Sequence, residues 1–432
     1  MKKLSADESH WCSDKQELTI DLSNLLGEPV SLTLTSWQHG IIWKNVIDGE
    51  IELHRNPFEE SLFPIGFIEH DILKPWRETI PVPIIKRLKK YKGNAFGMLN
   101  ICSCFQYADE LFANNPILFW LLFTYAQKNN WHEFEFVKTC RLKQTEILKA
   151  INLPATKSAL KLLQKIKSRQ FAQREYELIR QLFTLEFKQL NHQNNVPIAL
   201  IELILHFPQL LNSKLLNQLN SKQIKLLREF IQDTEHMARR IGLETEVVNQ
   251  QLYRCKKLIQ VERLHDKLVE QFNNKMAELT GREGESRKTA TLLLKPFPIP
   301  PLLGNENIVP ISNRKALIEE GKQQHHCVAV YDEDIIRGRY YVYQVLAPER
   351  ATLGINIRQK QPSQNQAYQQ PNISIDQLKG YHNKTVSQET QNTVLLWLND
   401  SKNINQKTPA ALIQNTSSTI AEQQYLYVVG GK

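Results

Sequence analysis

Residues 16 to about 55 alternate apolar and polar positions. ELTIDL and VSLTLTSW have the period of two that marks half-buried strands, and LLGEP between them has turn chemistry. GIIWKNVIDGEIELHRN continues the alternation and puts Asp-Gly at a turn. A small β-containing domain is therefore expected over residues 1–95, ending near the basic cluster IIKRLKKYKGN. From about residue 104 the apolar spacing changes to three and four. ADELFANNPILFWLLFTYAQ, WHEFEFVKTCRLKQTEILKAI, ATKSALKLLQKIKSRQFAQREYELIRQLFTLEFKQL, NVPIALIELILHF and SKQIKLLREFIQDTEHMARRIG all read as helix, punctuated by Pro154, Pro197 and Pro208. EVVNQQLYRCKKLIQVERLHDKLVEQFNNKMAEL reads as one long, charged, solvent-facing or crossing helix. No fixed period recurs, so residues 96–285 are expected to form an irregular helical array rather than a solenoid.

TGREGESRKTATLLLKPFPIPPLLGNENI ends that pattern. Four prolines between Pro296 and Pro301 give residues 286–310 the composition of an extended linker. Residues 311–400 then read as α+β. SNRKALIEEGKQQ is a helix capped by Ser312 or Asn313 and ended by Gly321. HHCVAVY, RYYVYQVL, ATLGINIRQ and NISIDQLKG are strand candidates, and SQETQNTVLLWLND is a closing helix capped by Ser387. Residues 401–432 form a polar tail in which QYLYVVGGK is either a further strand or unstructured. The expected fold class is multidomain, mainly α with α+β.

Composition narrows the class. Hydrophobic residues make up 41% of the 432 and aromatic ones 9%, enough for packed cores. No run approaches the roughly 18–20 apolar residues of a membrane span, and the basic start MKKLSADESHWCSDK has no apolar segment behind it. A cytoplasmic protein without membrane partners is expected, with its six cysteines reduced. The cysteines form no zinc-ribbon spacing; C-S-C at Cys102 and Cys104 is the closest pair. Walker A, G-x-G-x-x-G, H-E-x-x-H and G-x-S-x-G motifs are missing, which argues against nucleotide motors, dinucleotide enzymes and common hydrolases.

The net charge of +9 is unevenly placed. Lys138 to Arg180 holds eleven basic residues and three Glu, whereas Leu303 to Asp400 holds ten of each sign. Lys157, Lys161, Lys165 and Arg169 recur at steps of four, one continuous basic stripe if the helix is unbroken, and Arg174 and Arg180 follow. Few acids interleave, so like charges repel along the stripe without compensation. DNA or RNA is the partner that would relieve this; a solvated or acidic-protein-binding face is the plainer reading.

Near the C-terminal end, an Ile-Glu-Glu-Gly helix end, HHCVAVY, RGRYYVYQV, ATLGI and DQLKGYHN occur in that order. Over about residues 296–400 this arrangement resembles the PcfJ-like domain of conjugative plasmids and other mobile elements. The resemblance implies association with mobile DNA or its control, and it implies no particular reaction. It singles out His326, Cys327, Tyr331, Gly338, Thr352, Gln377, Gly380 and Asn383. Where that family reads Ala-Thr-Leu-Glu, this chain has Gly354.

Three readings of the motif stay open. Cys327 is a nucleophile with His325 or His326 as base; or His326 and His382 hold a metal with Asp332, Asp334 or Asp376; or Cys327 is core and the polar residues hydrogen-bond one another. No spacing demands a metal, so none is assigned, and no cofactor is identified. His326, Tyr331, Gln377 and Asn383 are the candidate catalytic residues, and with Thr352 they are expected to line one cleft. The preferred function is a nucleic-acid-associated protein of a mobile element or phage-defence cassette, its basic helical middle on the phosphate backbone and its C-terminal cleft recognising or processing nucleic acid. The alternative is a non-enzymatic subunit that holds a partner protein.

Overall fold

The computed structural model describes residues 8–47, 50–54, 57–58, 68–93, 95–281, 294–358 and 371–407. The chain divides into two compact units, Met1–Lys225 and Leu226–Lys432. The fold is multidomain α+β, with an N-terminal sheet, a helical middle and a C-terminal sheet with helices.

In the first unit the strands Ser9–Cys12, Glu17–Asp21, Val30–Thr35, Trp43–Ile47 and Glu50–His54 pair antiparallel in sequence order. The alternation works as expected: Leu18, Ile20, Leu32 and Leu34 are fully buried, and register sets Leu18 opposite Leu34 and Ile20 opposite Leu32. Trp76 covers this face, donating from its indole nitrogen to the Thr35 carbonyl at 2.8 Å and stacking on Phe96. The Asp48-Gly49 turn lies outside the described residues; Ile47 and Glu50 pair across it.

The helices that follow are shorter than the periodicity suggests. ADELFANNPILFWLLFTYAQ is two helices, Gln106–Asn114 and Pro116–Lys128. Asn115 separates them and caps the second, accepting from the Leu118 N–H at 3.3 Å, and Pro116 takes a first-turn position where no N–H is needed. The basic segment also breaks. Its first helix, Lys157–Lys165, is capped by Thr156 and ends at the extended Ile166. Ile166–Lys167 pairs in parallel with Val196–Pro197, and Phe171 bonds through its backbone to Lys90 and Lys92 before the helix Gln173–Leu182 begins. Extended backbone buries both Ile166 and Phe171, and that burial outweighs local helix propensity.

In the second unit, the expected long charged helix is also two, Thr245–Arg254 and Leu258–Gly281. Cys255 is extended between them, and the Gln260 side chain accepts from the Lys256 and Lys257 N–H groups at 2.8 and 3.2 Å. The later helix is not solvent-facing: Val261, His265, Leu268, Val269, Phe272 and Met276 are all buried.

A second antiparallel sheet joins Ile308–Pro310, Tyr340–Val345, Ala351–Arg358, Asn372–Gly380 and Lys384–Thr385, again as sequential neighbours. The Pro-rich stretch is extended but packed. Phe297 and Leu302 are buried, Phe297 bonds Ser312 through the backbone at 2.7 Å, and the Tyr343 hydroxyl donates to the Leu302 carbonyl at 2.9 Å. Asn313 is the cap of the next helix, Arg314–Gln324, which runs through Gly321 and ends at His325 in the left-handed region with φ of 54°. HHCVAVY is therefore not a strand: Val328–Tyr331 is a 3-10 turn leading into the short helix Asp332–Ile336. Its apolar run is buried on several sides, with Val328 in the sheet's core and Cys327, Ala329 and Val330 packed with Met237 and Phe272. Such a run has no periodicity to distinguish strand from helix. Ser387 caps the closing helix Gln388–Lys407 as expected, accepting from the Thr390 N–H at 3.2 Å. The tail beyond residue 407 lies outside the described residues. No helix among the described residues is long and apolar enough to cross a membrane.

Candidate functional site

The left-handed His325 lets three consecutive side chains diverge. His325 is exposed and stacks on His382 at 4.3 Å. His326 is buried and donates from Nε2 to the Gly380 carbonyl at 2.8 Å. Burial lowers its pKa, so the imidazole is held neutral as a donor to backbone. Cys327 is buried towards Asp233, and burial together with that carboxylate pushes its thiol pKa well up. His325 and His326 are both engaged elsewhere, so neither serves as a base for this thiol.

Tyr331 and Gln377 do meet. Gln377 Nε2 donates to the Tyr331 hydroxyl at 3.0 Å, and that hydroxyl donates to Asp233 at 3.3 Å. Tyr331 stacks on Tyr340 at 4.4 Å, and the Tyr340 hydroxyl donates to Asp376 at 3.0 Å. Asp376 also accepts from Asn356 at 2.9 Å. A Cβ at Gly354 would collide with the Tyr340 ring and hydroxyl. The space beside Gly354 is thus filled by a tyrosine that carries its own carboxylate partner.

Thr352 belongs to a different cluster. It donates to Glu320, a fully buried carboxylate that also binds Arg350 and accepts from Gln344 at 2.8 Å. Asn383 lies in the turn Tyr381–Asn383 with φ of 56°, and it is not among the groups bonded to Tyr331 or Glu320. The five residues expected in one cleft therefore divide: Tyr331 and Gln377 together, Thr352 with Glu320, His326 on a backbone carbonyl, and Asn383 in a turn.

The carboxylates of the sequence-permitted metal set are committed elsewhere. Asp332 is paired with Arg240 and Arg314 at 2.9 Å each, and Asp334 with Arg339 at 2.5 Å. A different group converges: the ligand atoms of Asp233, His265 and Cys327 all lie within 4.8 Å of one another. Asp233 and His265 were not singled out by motif. Their signal was a polar residue among apolar helical positions, as in His265 between Val261 and Leu268–Val269.

In the first unit the basic residues separate by role. Lys157, Lys161 and Arg169 are exposed, but Arg169 lies past the helix end. Lys165 donates to the Asn191 carbonyl at 2.5 Å. Arg174 pairs with Glu202 and Glu175, and Arg180 donates to the Ile151 carbonyl while lying over Tyr125 and Tyr176. A cleft of about 600 Å³ opens nearby, its cations Lys86, Arg87, Lys90 and Lys167 unmatched by any lining acid among the described residues. Gln164, one turn beyond Lys161 on the same helix, is on its wall.

The second unit is thus an α+β body with a buried polar core assembled from helices, a 3-10 turn and sheet. The family model described as PcfJ-like protein matches residues 230–395, and this part of the chain is similar to that family. The match starts well before the C-terminal motifs and takes in both Asp233 and His265. No curated protein and no solved structure matches the chain.

Proposed function

We propose that this protein binds nucleic acid through the basic cleft of its N-terminal unit and serves a mobile element or a phage-defence cassette. The cleft carries the reading: Lys86, Arg87, Lys90 and Lys167 line one concavity whose described wall holds no acid, and Asp109 offsets part of the Arg87 charge. An anion that threads it would remove their mutual repulsion and release counterions. Lys157 and Lys161 extend positive charge along the adjoining helix, whose seven-residue step from Lys157 to Gln164 spans roughly 10 Å, the reach of a few phosphates. The PcfJ-like segment supports the link to mobile DNA, and it would contribute any recognition or processing step. A second reading, a subunit that docks a partner protein, draws on the exposed Leu303, Leu395 and Leu396.

Binding of labelled single- and double-stranded DNA and RNA, measured across salt concentrations, tests the reading. Substituting Lys86, Arg87, Lys90 and Lys167 by Gln should weaken binding and reduce the salt slope by about 0.7–0.9 per lost phosphate contact. Binding by the wild type that is absent or insensitive to salt would favour the protein-docking reading. An unchanged slope in the variant would remove the cleft from the interface.

A further inference from the structure

We propose that Asp233, His265 and Cys327 form a binding site for a divalent ion of the zinc class. The three come from separate elements: Asp233 from the helix Ser221–Arg240, His265 from Leu258–Gly281, and Cys327 from the turn after Arg314–Gln324. Nothing in local sequence requires them to meet, yet one carboxylate oxygen, one imidazole nitrogen and one sulfur lie within 4.8 Å of each other. Asp233 Oδ2 and His265 Nε2 are 4.0 Å apart. Tetrahedral zinc, with bonds of about 2.0–2.3 Å, sets its ligand atoms roughly 3.3–3.8 Å apart. Side-chain adjustment of about 1 Å or less closes the shell.

His265 makes the strongest case. Its side chain is 1% exposed, and its Nδ1 lies 3.2 Å from the Asp266 carboxylate. An Nδ1–H donated to that carboxylate leaves the lone pair on Nε2, directed towards the cluster. Nε2 has no hydrogen-bond partner among the described residues. A carboxylate behind a histidine, fixing tautomer and ring orientation, is the outer-shell arrangement of metal-bound imidazoles. Phe230 packs on the ring at 4.9 Å and holds its plane.

The donor set selects the ion. Sulfur and imidazole nitrogen disfavour magnesium and calcium, which take oxygen, and favour zinc or its analogues. Binding replaces the Cys327 S–H bond by a sulfur–metal bond and releases the proton to solvent. A dication supplies the positive charge that a buried carboxylate and thiolate otherwise lack. Three protein ligands leave a fourth position, and the Tyr331 hydroxyl, 3.3 Å from Asp233 Oδ1 and bonded to Gln377, is placed to orient a water there. The site uses residues of the second unit alone and does not depend on nucleic-acid binding.

The test is cobalt titration of the full-length protein after chelator treatment, followed in the near-ultraviolet and visible. One equivalent should bind with a thiolate-to-cobalt charge-transfer band. Cys327→Ser should lose that band, Cys255→Ser should keep it, and His265→Gln should weaken cobalt binding by more than about a hundredfold, beyond the effect of losing an outer-shell partner. Circular dichroism establishes that each variant is folded. If Cys327→Ser or His265→Gln does not fold, the wild type decides: zinc should bind at one equivalent and raise its melting temperature. Folded wild type that binds neither zinc nor cobalt stoichiometrically overturns the site, as does a charge-transfer band that survives in Cys327→Ser.

Discussion

The Tyr340 side chain fills the space into which a Cβ at residue 354 would project. Tyr340 is buried, stacked on Tyr331 and bonded to Asp376, so it cannot swing aside cheaply. Gly354→Ala should therefore destabilise the protein by about 1–3 kcal/mol, the usual cost of overpacking. Tyr340→Ala makes room, and the double variant should lose less stability than the sum of the two single changes. Unfolding midpoints of the four proteins check this; strict additivity would mean that the two positions do not compete for space.

Glu320 is a carboxylate with no exposed surface, and Arg350 is its cationic partner. Arg350→Met keeps the stem's packing but strands the buried charge, at an expected cost of about 3–5 kcal/mol. Glu320→Gln removes the charge and keeps an acceptor for Thr352 or Gln344, so it should cost roughly 1–2 kcal/mol. Thermal unfolding distinguishes the two, and equal losses would contradict the argument from stranded charge.

Position along the basic segment sets a further contrast. Arg180 is held by the Ile151 carbonyl and by the faces of Tyr125 and Tyr176, so Arg180→Gln should lower stability by roughly 1–2 kcal/mol and leave the salt slope of nucleic-acid binding unchanged. Lys157→Gln with Lys161→Gln should do the opposite, sparing stability and reducing the slope by about 1.4–1.8. A flattened slope in the Arg180 variant would put that guanidinium at the interface after all.

Glu349 accepts from the Ser387 N–H at the start of the closing helix, and this bond holds its pKa below the ordinary 4.5. A carboxylate with a depressed folded-state pKa stabilises fully above its unfolded value and loses that contribution as pH falls through the folded one. Glu349→Gln should thus be less stable than wild type at neutral pH, with the gap narrowing in acid. Melting curves from pH 7 down to about 3 give the comparison; a gap that widens in acid would reverse the sign and reject the anchor.

The sequence was most legible where one local rule acted alone. Strict alternation placed Leu18, Ile20, Leu32 and Leu34, and short polar side chains narrowed the caps to Ser312 or Asn313 and to Ser387. It misled where tertiary burial competed with periodicity. Ile166 and Phe171 gain more from extended pairing than from continuing a helix, and that breaks the lysine stripe before Arg169. Val328 to Val330 look like a strand because they are apolar on every side. Motif reading brought Tyr331 and Gln377 together but passed over Asp233, His265 and Glu320, whose importance shows only when distant helices and strands meet.

Residues 325–327 have a consequence for how the chain tolerates change. One reversed backbone angle sends His325 to the Tyr381–Asn383 turn, His326 to the end of a sheet strand and Cys327 to the helix that carries Asp233. The tripeptide is a three-way junction whose arms are counted in single residues. Replacing any one side chain cuts one arm; inserting or deleting a residue misdirects all three at once. A protein with such a junction should accept point changes in QQHHCVAVY far more readily than a change in its length.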